Sequence, residues 1–286
     1  MKDTLALVAI MKNEGTYLLE WIAHYRLIGV RNIIIYDNDT ADPGREMLEK
    51  LAASGLITLH KWTVEVGISP QLSAYADALL RYRDAFEFLA FFDADEFLVQ
   101  KTSTSITRWL PTLPADVGAI AINQRVFGSS GHRKRGAGLV VARFQLAAEP
   151  DYDENRWVKS IYRSSSVEVI GDCHRGKLKS GKYILPNRQV AFSDDNATGK
   201  AEQIDYSLFQ LNHYIIKSEE EFLIKRQRGG GMGHTQAARL KRYEDLNFFR
   251  GRDMKINASR DDQLGKSVAE IQAEIGYLEQ AISAVV

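Results

Sequence analysis

The sequence predicts an α/β protein: a Rossmann-like mixed sheet with helices on both faces and a helical C-terminal extension. Three observations carry that expectation. Apolar strand segments alternate with helical segments three times over residues 4–92, joined by short links. After residue 117, shorter strand-like runs follow one another with no helix between them. From Ser218 onward the periodicity turns helical.

Thr4–Met11 is a nearly unbroken apolar run and reads as a buried strand, ending at Lys12-Asn13-Glu14. The next segment places Leu18, Leu19, Ile22, Tyr25 and Leu27 on one helical face, with Gly29 as its C′ residue. Asn32–Tyr36 is a second strand and runs into the acidic turn Asp37–Asp42, which opens a helix over residues 43–53 ended by Gly55. Ile57–His60 is a third strand. Ser69-Pro70 pairs an N-cap with proline at the first helical position and starts a helix reaching Arg83. Residues 86–92 are almost wholly apolar and too short for a helix, so they form the fourth strand. Such alternation predicts parallel pairing. Gly118–Asn123 is a further strand, followed by the glycine-rich, basic loop Phe127–Gly136. Segments 138–146, 157–163, 166–170 and 207–214 read as strands of mixed or antiparallel sheet, and 171–206 as long loops around them. Ser218 to Glu221 forms a capping box, with later helices near 235–250 and 262–283 and Gly229–Gly231 as a hinge. The apolar stripe Val268, Ile271, Ile275, Leu278 and Ile282 predicts that the last helix packs on the body of the protein. The expected division is a domain over 1–230, with halves 1–122 and 123–230, and an extension over 231–286.

Lys+Arg and Asp+Glu both number 37, so net charge gives no footprint for nucleic acid. One cysteine, Cys173, excludes an internal disulfide and a cysteine zinc site and suits a reducing compartment. No apolar run approaches the roughly 20 residues of a membrane span, and the first strand begins before a signal-peptide core could end. The expected location is cytoplasmic. No glycine-rich dinucleotide or P-loop fingerprint follows the first strand, which removes the main support for those readings.

The fourth strand runs directly into Asp93-Ala94-Asp95-Glu96. Ligands bind at the C-terminal strand ends of open α/β sheets, and carboxylates at i and i+2 can face one crevice. Such a pair suits a hard divalent cation, which takes oxygen ligands and often grips phosphate as well. The plain alternative is a polar turn at the end of a strand. Asn13 and Glu14 read equally well as helix caps or ligand contacts, and Asp39, Thr40 and Asp42 as a solvated turn with an N-cap. Trp21 and Tyr25, four residues apart, read as core; Trp62 and Trp157 are the better candidates for stacking on a ligand.

Taken in order, Lys12-Asn13-Glu14, Glu20-Trp21, Tyr36-Asp37-Asn38, Gln71 with Tyr75, and Phe92 to Leu98 resemble a GT-A glycosyltransferase. With Phe127 to Gly131, Lys159, His174, His213-Tyr214, Lys217-Ser218, Phe222 and Lys225, the set is similar to the glycosyltransferase 2-like group that includes family 92. The resemblance spans about residues 4–230. It implies a metal-dependent, inverting transfer of a sugar from a nucleotide-diphosphate donor, expected to be UDP-linked, to a saccharide acceptor on a glycan or lipid. It implies Mn²⁺ or Mg²⁺ held by Asp93, Asp95 and His213. It places the nucleotide sugar on Asn13, Glu14, Asp37, Asn38, Gln71, Asp93, Ala94, Lys159 and Lys217. Asp95, Glu96 and Asp153 are the expected catalytic carboxylates, with Asp151 and Asp172 also open as the base. A lipid-linked acceptor would bring the basic residues Lys225, Arg226, Arg228, Arg239, Lys241 and Arg242 against a membrane surface. Two other readings stand beside this one: a GT-A-shaped nucleotide-sugar binder without catalysis, and an Asp-x-Asp phosphohydrolase. The latter is disfavoured because the motif follows the fourth strand and continues with Glu96.

Overall fold

The computed structural model describes residues 2–193, 198–227 and 246–285. The predicted hinge Gly229–Gly231, the first part of the predicted 235–250 helix, and Arg228, Arg239, Lys241 and Arg242 lie outside these residues.

The first half follows the expected alternation. Strand β1 (Asp3–Met11) leads to helix α1 (Gly15–Leu27), β2 (Asn32–Asp37) to α2 (Gly44–Ala53), and β3 (Thr58–Lys61) to α3 (Pro70–Tyr82) and then β4 (Phe86–Phe91). Strand β1 pairs in parallel with both β2 and β4, and β2 in parallel with β3. The order β3-β2-β1-β4 reverses direction of travel between β1 and β4, which makes the ends of those two strands a topological switch point.

The second half changes the pairing. Strands β5 (Glu96–Gln100), β6 (Val117–Val126), β8 (Val158–Arg163) and β12 (Phe209–His213) complete the order β4-β8-β6-β12-β5, with β7 (Leu146–Ala147) lying outside this sheet. Strand β8 runs antiparallel to β4 and β6, β12 parallel to β6, and β5 antiparallel to β12. The short strands β9 (Val167–Val169) and β10 (Lys177–Leu178) form a hairpin, and β11 (Lys182–Ile184) extends the main sheet beside β6.

Two departures from the sequence reading affect the site. A strand that the sequence reading does not include, β5, follows the carboxylate motif at once: Phe97, Leu98 and Val99 are buried in it, so the motif is a tight turn between two strands. The predicted strand over 138–146 is instead a short helix, α4 being Ile106–Trp109 and α5 Val140–Arg143, before β7. The carboxylate of Glu20 accepts the backbone N–H groups of Val140 and Val141 at 2.8 and 3.0 Å, capping that turn in a helical start.

Core apolar groups cover both faces of the sheet. One face buries Trp21, Ile22, Tyr25, Phe92 and Phe97; the other buries Tyr36, Tyr75, Phe91 and Tyr162. Toward the C-terminus, α6 (Glu219–Gln227) precedes α7 (Leu246–Ile256), β13 (Ser259–Arg260) and α8 (Val268–Ser283). All five residues of the α8 stripe join the first core, and Glu274 pairs with Arg26 of α1. Strand β13 pairs with β7, while Asp253 of α7 and Asn257 just after it accept the Ser129 and Ser130 N–H groups at 2.7 and 2.9 Å. The C-terminal segment thus clamps the Phe127–Gly131 loop. Among the described residues, no helix is long and apolar enough to cross a membrane.

Candidate functional site

The turn from Phe92 to Asp95 lies at the switch point, and aromatic side chains of α1 hold its backbone from beneath. Trp21 Nε1 donates to the Asp93 and Glu96 carbonyls at 3.1 and 3.0 Å, and the Tyr25 hydroxyl donates to the Glu96 carbonyl at 2.9 Å. Both rings are fully buried, in keeping with the core reading, and they also fix the motif. Glu96 closes the turn from inside: its Oε2 accepts the Asp93 N–H at 2.8 Å and its Oε1 accepts from Gln124 Nε2 at 2.6 Å. Glu96 is fully buried. Burial raises its carboxyl above the usual range, with Lys159 opposing and Asp93 and Asp95 adding to the rise.

Asp93 and Asp95 point to different partners. Asp93 Oδ2 accepts from Lys159 Nζ at 2.8 Å, and its Oδ1 from Gln71 Nε2 at 2.7 Å and the Tyr75 hydroxyl at 3.3 Å. Burial opposes ionisation of Asp93, but the charge and the hydrogen bond of Lys159 together hold the carboxyl below its ordinary range. Asp95 Oδ2 is paired with Lys225 of α6, whose ammonium also donates to the Ile215 carbonyl at 3.2 Å. Burial again opposes, while the Lys225 and Lys217 ammonium groups hold Asp95 ionised.

The second oxygen of Asp95 faces His213. Strands β5 and β12 place His213 opposite Glu96 in register, and its Nε2 lies 3.6 Å from Asp95 Oδ1. Its Nδ1 is 3.1 Å from Gln124 Oε1. Because Gln124 gives its amide N–H to Glu96, its carbonyl oxygen faces the ring and Nδ1 carries the proton. Burial, with Lys225 adding to it and Asp95 opposing, pushes His213 down to about 3. The ring is therefore neutral at pH 7, and an imidazole lone pair faces a carboxylate oxygen with no proton between them. Two bonds of about 2.1 Å can bridge that separation, so the donor set fits a divalent cation. Were a cation held there, Gln124 would be the outer partner that orients the histidine.

The other predicted residues surround this centre unequally. Asn13 adopts φ 53°, and its Oδ1 accepts the Ala41 N–H at 2.7 Å. Glu14 is buried at the start of α1 but makes no side-chain cap, and Asp42 accepts the Gly15 N–H instead at 3.1 Å. Asp37 Oδ1 accepts the Thr40 N–H at 2.9 Å, and Asn38 Nδ2 donates to the Trp62 carbonyl at 3.1 Å. These residues line the ends of β1 and β2. Ala94 is buried between the two aspartates. Lys217 is buried at φ 55°, with its ammonium 4.4 Å from the centre of the Tyr17 ring. The Asp153 side chain is 63 % exposed and pairs with Lys200 and Arg156. The Trp157 ring packs against His174 at a tilt of 39°, and Trp62 meets Tyr36 edge-on. Asp172, Cys173 and His174 bring one donor atom each within 4.8 Å of one another. The excluded cysteine zinc site thus has a local geometric counterpart. Asp172 Oδ1 is engaged by the His174 N–H at 2.7 Å, however, and the nearby Lys159 ammonium repels a cation.

Sequence reading passes over Gln124. Its signal is the polar triplet Asn123-Gln124-Arg125 inside an otherwise apolar, wholly buried strand. Lys225 is also placed differently: expected on a membrane-facing basic surface, it reaches inward to Asp95.

The profile of glycosyltransferase family 92 matches residues 8–172, more than half of the 286 residues. The chain belongs to glycosyltransferase family 92. A family 92 protein of Oryza sativa subsp. japonica is 28% identical over 190 residues, covering 63% of this chain and 31% of that protein. One from Ricinus communis is 30% identical over 192 residues, covering 65% and 34%. The family 92 chain spans about a third of the length of these curated relatives. Staphylococcus aureus TarS 1–349, solved in complex with UDP-GlcNAc, shares 14% identity at a TM-score of 0.40, covering 98% of this chain and 81% of that one. A likeness that remote adds nothing to the assignment. The matched region carries the end of β1, β2, β4, the carboxylate turn, Gln124 and Lys159; His213, Lys217 and Lys225 lie beyond it.

Proposed function

We propose that this family 92 chain transfers a glycosyl group from a UDP-sugar to a saccharide acceptor, with Mn²⁺ or Mg²⁺ held by Asp95 and His213. The observation that carries this reading is the pairing of Asp95 Oδ1 with a deprotonated His213 Nε2 across 3.6 Å. The cation, when bound, stabilises the negative charge that grows on the leaving diphosphate. Asn13, Glu14, Asp37 and Asn38 line the crevice proposed for uracil and ribose. Asp37 suits a base N–H because an ionised carboxylate only accepts. Gln71 and Lys159 hold Asp93 at the ribose end of that crevice, and Lys217 stands near Asp95 for the diphosphate. Asp95 positions the cation rather than moving a proton.

An inverting transfer needs a carboxylate to take the acceptor proton. Glu96 is buried beneath the turn and serves as a support. Asp153 is the solvent-reachable member of the catalytic trio, and acting as base requires it to leave Lys200. The pairing of Asp153 with Lys200 and Arg156 favours a second reading, in which the chain binds a nucleotide sugar without transferring it. Phosphoryl transfer to Asp93 is disfavoured because both of its oxygens are already held.

The test is incubation with UDP-glucose, UDP-galactose and UDP-GlcNAc, a saccharide panel and Mn²⁺, reading UDP release and glycosylated product. Acceptor-dependent UDP release that is lost in Asp95→Ala supports transfer. Binding without turnover selects the second reading. The assignment of residues 1–230 as the transferase unit, with 231–286 packed on it, is part of the same proposal.

A further inference from the structure

We propose that Lys225 is an internal counter-ion that keeps the Asp95–His213 centre from filling with a divalent cation until a diphosphate arrives. The inference rests on the metal-dependent reading above. Both motif aspartates already carry a lysine: Lys159 on Asp93 and Lys225 on Asp95. The two ammonium groups differ in setting. The Lys159 side chain is 1% exposed on a central strand and belongs to the core, whereas that of Lys225 is 35% exposed in the last turn of α6. Lys225 takes Asp95 Oδ2, leaving Oδ1 toward His213.

A cation entering between Oδ1 and Nε2 would meet a carboxylate whose charge is already balanced. It would also sit within a few ångströms of a like charge, and such repulsion is strong at a half-buried site. A nucleoside diphosphate changes the balance, because its oxygens accept from the Lys225 ammonium while also ligating the ion. The side chain is long and partly exposed, so it can swing from Asp95 Oδ2 to a phosphate oxygen without unfolding α6. Lys225 thereby makes metal and diphosphate bind as a unit. By linkage, each raises the affinity for the other by the same factor.

The experiment measures free Mn²⁺ by electron paramagnetic resonance in titrations with and without UDP. It uses wild type, Lys225→Met, Lys225→Arg and Asp95→Asn, with thermal unfolding as a check on folding. Wild type should bind Mn²⁺ weakly alone and much more tightly with UDP. Lys225→Met should bind Mn²⁺ alone on the order of tenfold more tightly and lose a similar factor of the coupling to UDP. Lys225→Arg should behave as wild type, and Asp95→Asn should bind no Mn²⁺. Wild type binding Mn²⁺ equally well with and without UDP would overturn the proposal, as would unchanged or weaker Mn²⁺ binding in folded Lys225→Met. If UDP–Mn²⁺ binding to wild type persists in those cases, only the role of Lys225 fails. If no Mn²⁺ binds wild type or Lys225→Met under any condition, the metal reading fails with it.

Discussion

The side-chain carbonyl of Gln124 lies 3.1 Å from Nδ1 of His213, and this contact decides which ring nitrogen faces Asp95. A buried glutamine with its amide committed to Glu96 turns a histidine of ambiguous role into one with its lone pair presented at a fixed angle.

Replacing Gln124 should therefore weaken metal binding without touching a ligand. Gln124→Met frees the ring to rotate or change tautomer, and loss of such outer partners lowers metal affinity by about 10–100-fold. Calorimetry of Mn²⁺ in the presence of UDP checks this. An affinity equal to wild type would mean that His213 is held by something else.

Lys159 is predicted to be a stability residue as much as a binding one. Its ammonium is buried between Asp93 at 2.8 Å and Glu96 at 3.8 Å. Lys159→Met leaves two buried carboxyls without their cation, and breaking a buried pair in this way costs about 3–5 kcal/mol. Urea unfolding measures the loss; a change below about 1 kcal/mol would show that solvent reaches the site freely.

Acid should attack the protein through Glu221. Burial alone would raise this carboxyl, but hydrogen bonds from Arg143, Ser218 and Tyr17 outweigh it and hold the group at about 2. A carboxyl depressed by folding stabilises the native state fully above its ordinary value and loses that contribution as pH falls toward the depressed one. The window here runs from about pH 4.5 down to about 2, and the contribution is roughly 3 kcal/mol. Unfolding midpoints across that range should fall less steeply in Glu221→Gln than in wild type. Parallel profiles would remove Glu221 from the account.

Gly128 should tolerate no side chain. A Cβ there would meet Asn257 Oδ1 at 2.2 Å, within the clamp that α7 places on the Phe127–Gly131 loop. Gly128→Ala should cost about 1–3 kcal/mol through overpacking. The cost should shrink in an Asn257→Ala background, where the two changes couple because they share one contact. Additive unfolding energies would show that the loop moves aside.

Local patterns made the framework legible. The unbroken apolar run of β1, the Ser69-Pro70 start of α3 and the Gly29 end of α1 all state their structure within a few residues. Strand β5 was hidden because the acidic motif before it ends one strand and begins another with no loop between. Residues 138–146 misled because β-branched Val140 and Val141 favour a strand locally, whereas a carboxylate 120 positions away caps them as a helix. The site divides in the same way. Asp93 and Asp95 announce themselves by spacing, but the pairings Gln124–His213 and Lys225–Asp95 join residues 89 and 130 positions apart. Such contacts arise from sheet order and helix placement, which no short stretch of sequence encodes.

The central claim is that Asp95 and His213 hold a cation for a nucleoside diphosphate. Calorimetric titration of UDP into wild type and Asp95→Ala, each with and without Mn²⁺, tests it most directly. The account predicts UDP binding that requires Mn²⁺ and disappears in Asp95→Ala. UDP binding that is equally strong without the metal, or unchanged in Asp95→Ala, would contradict it.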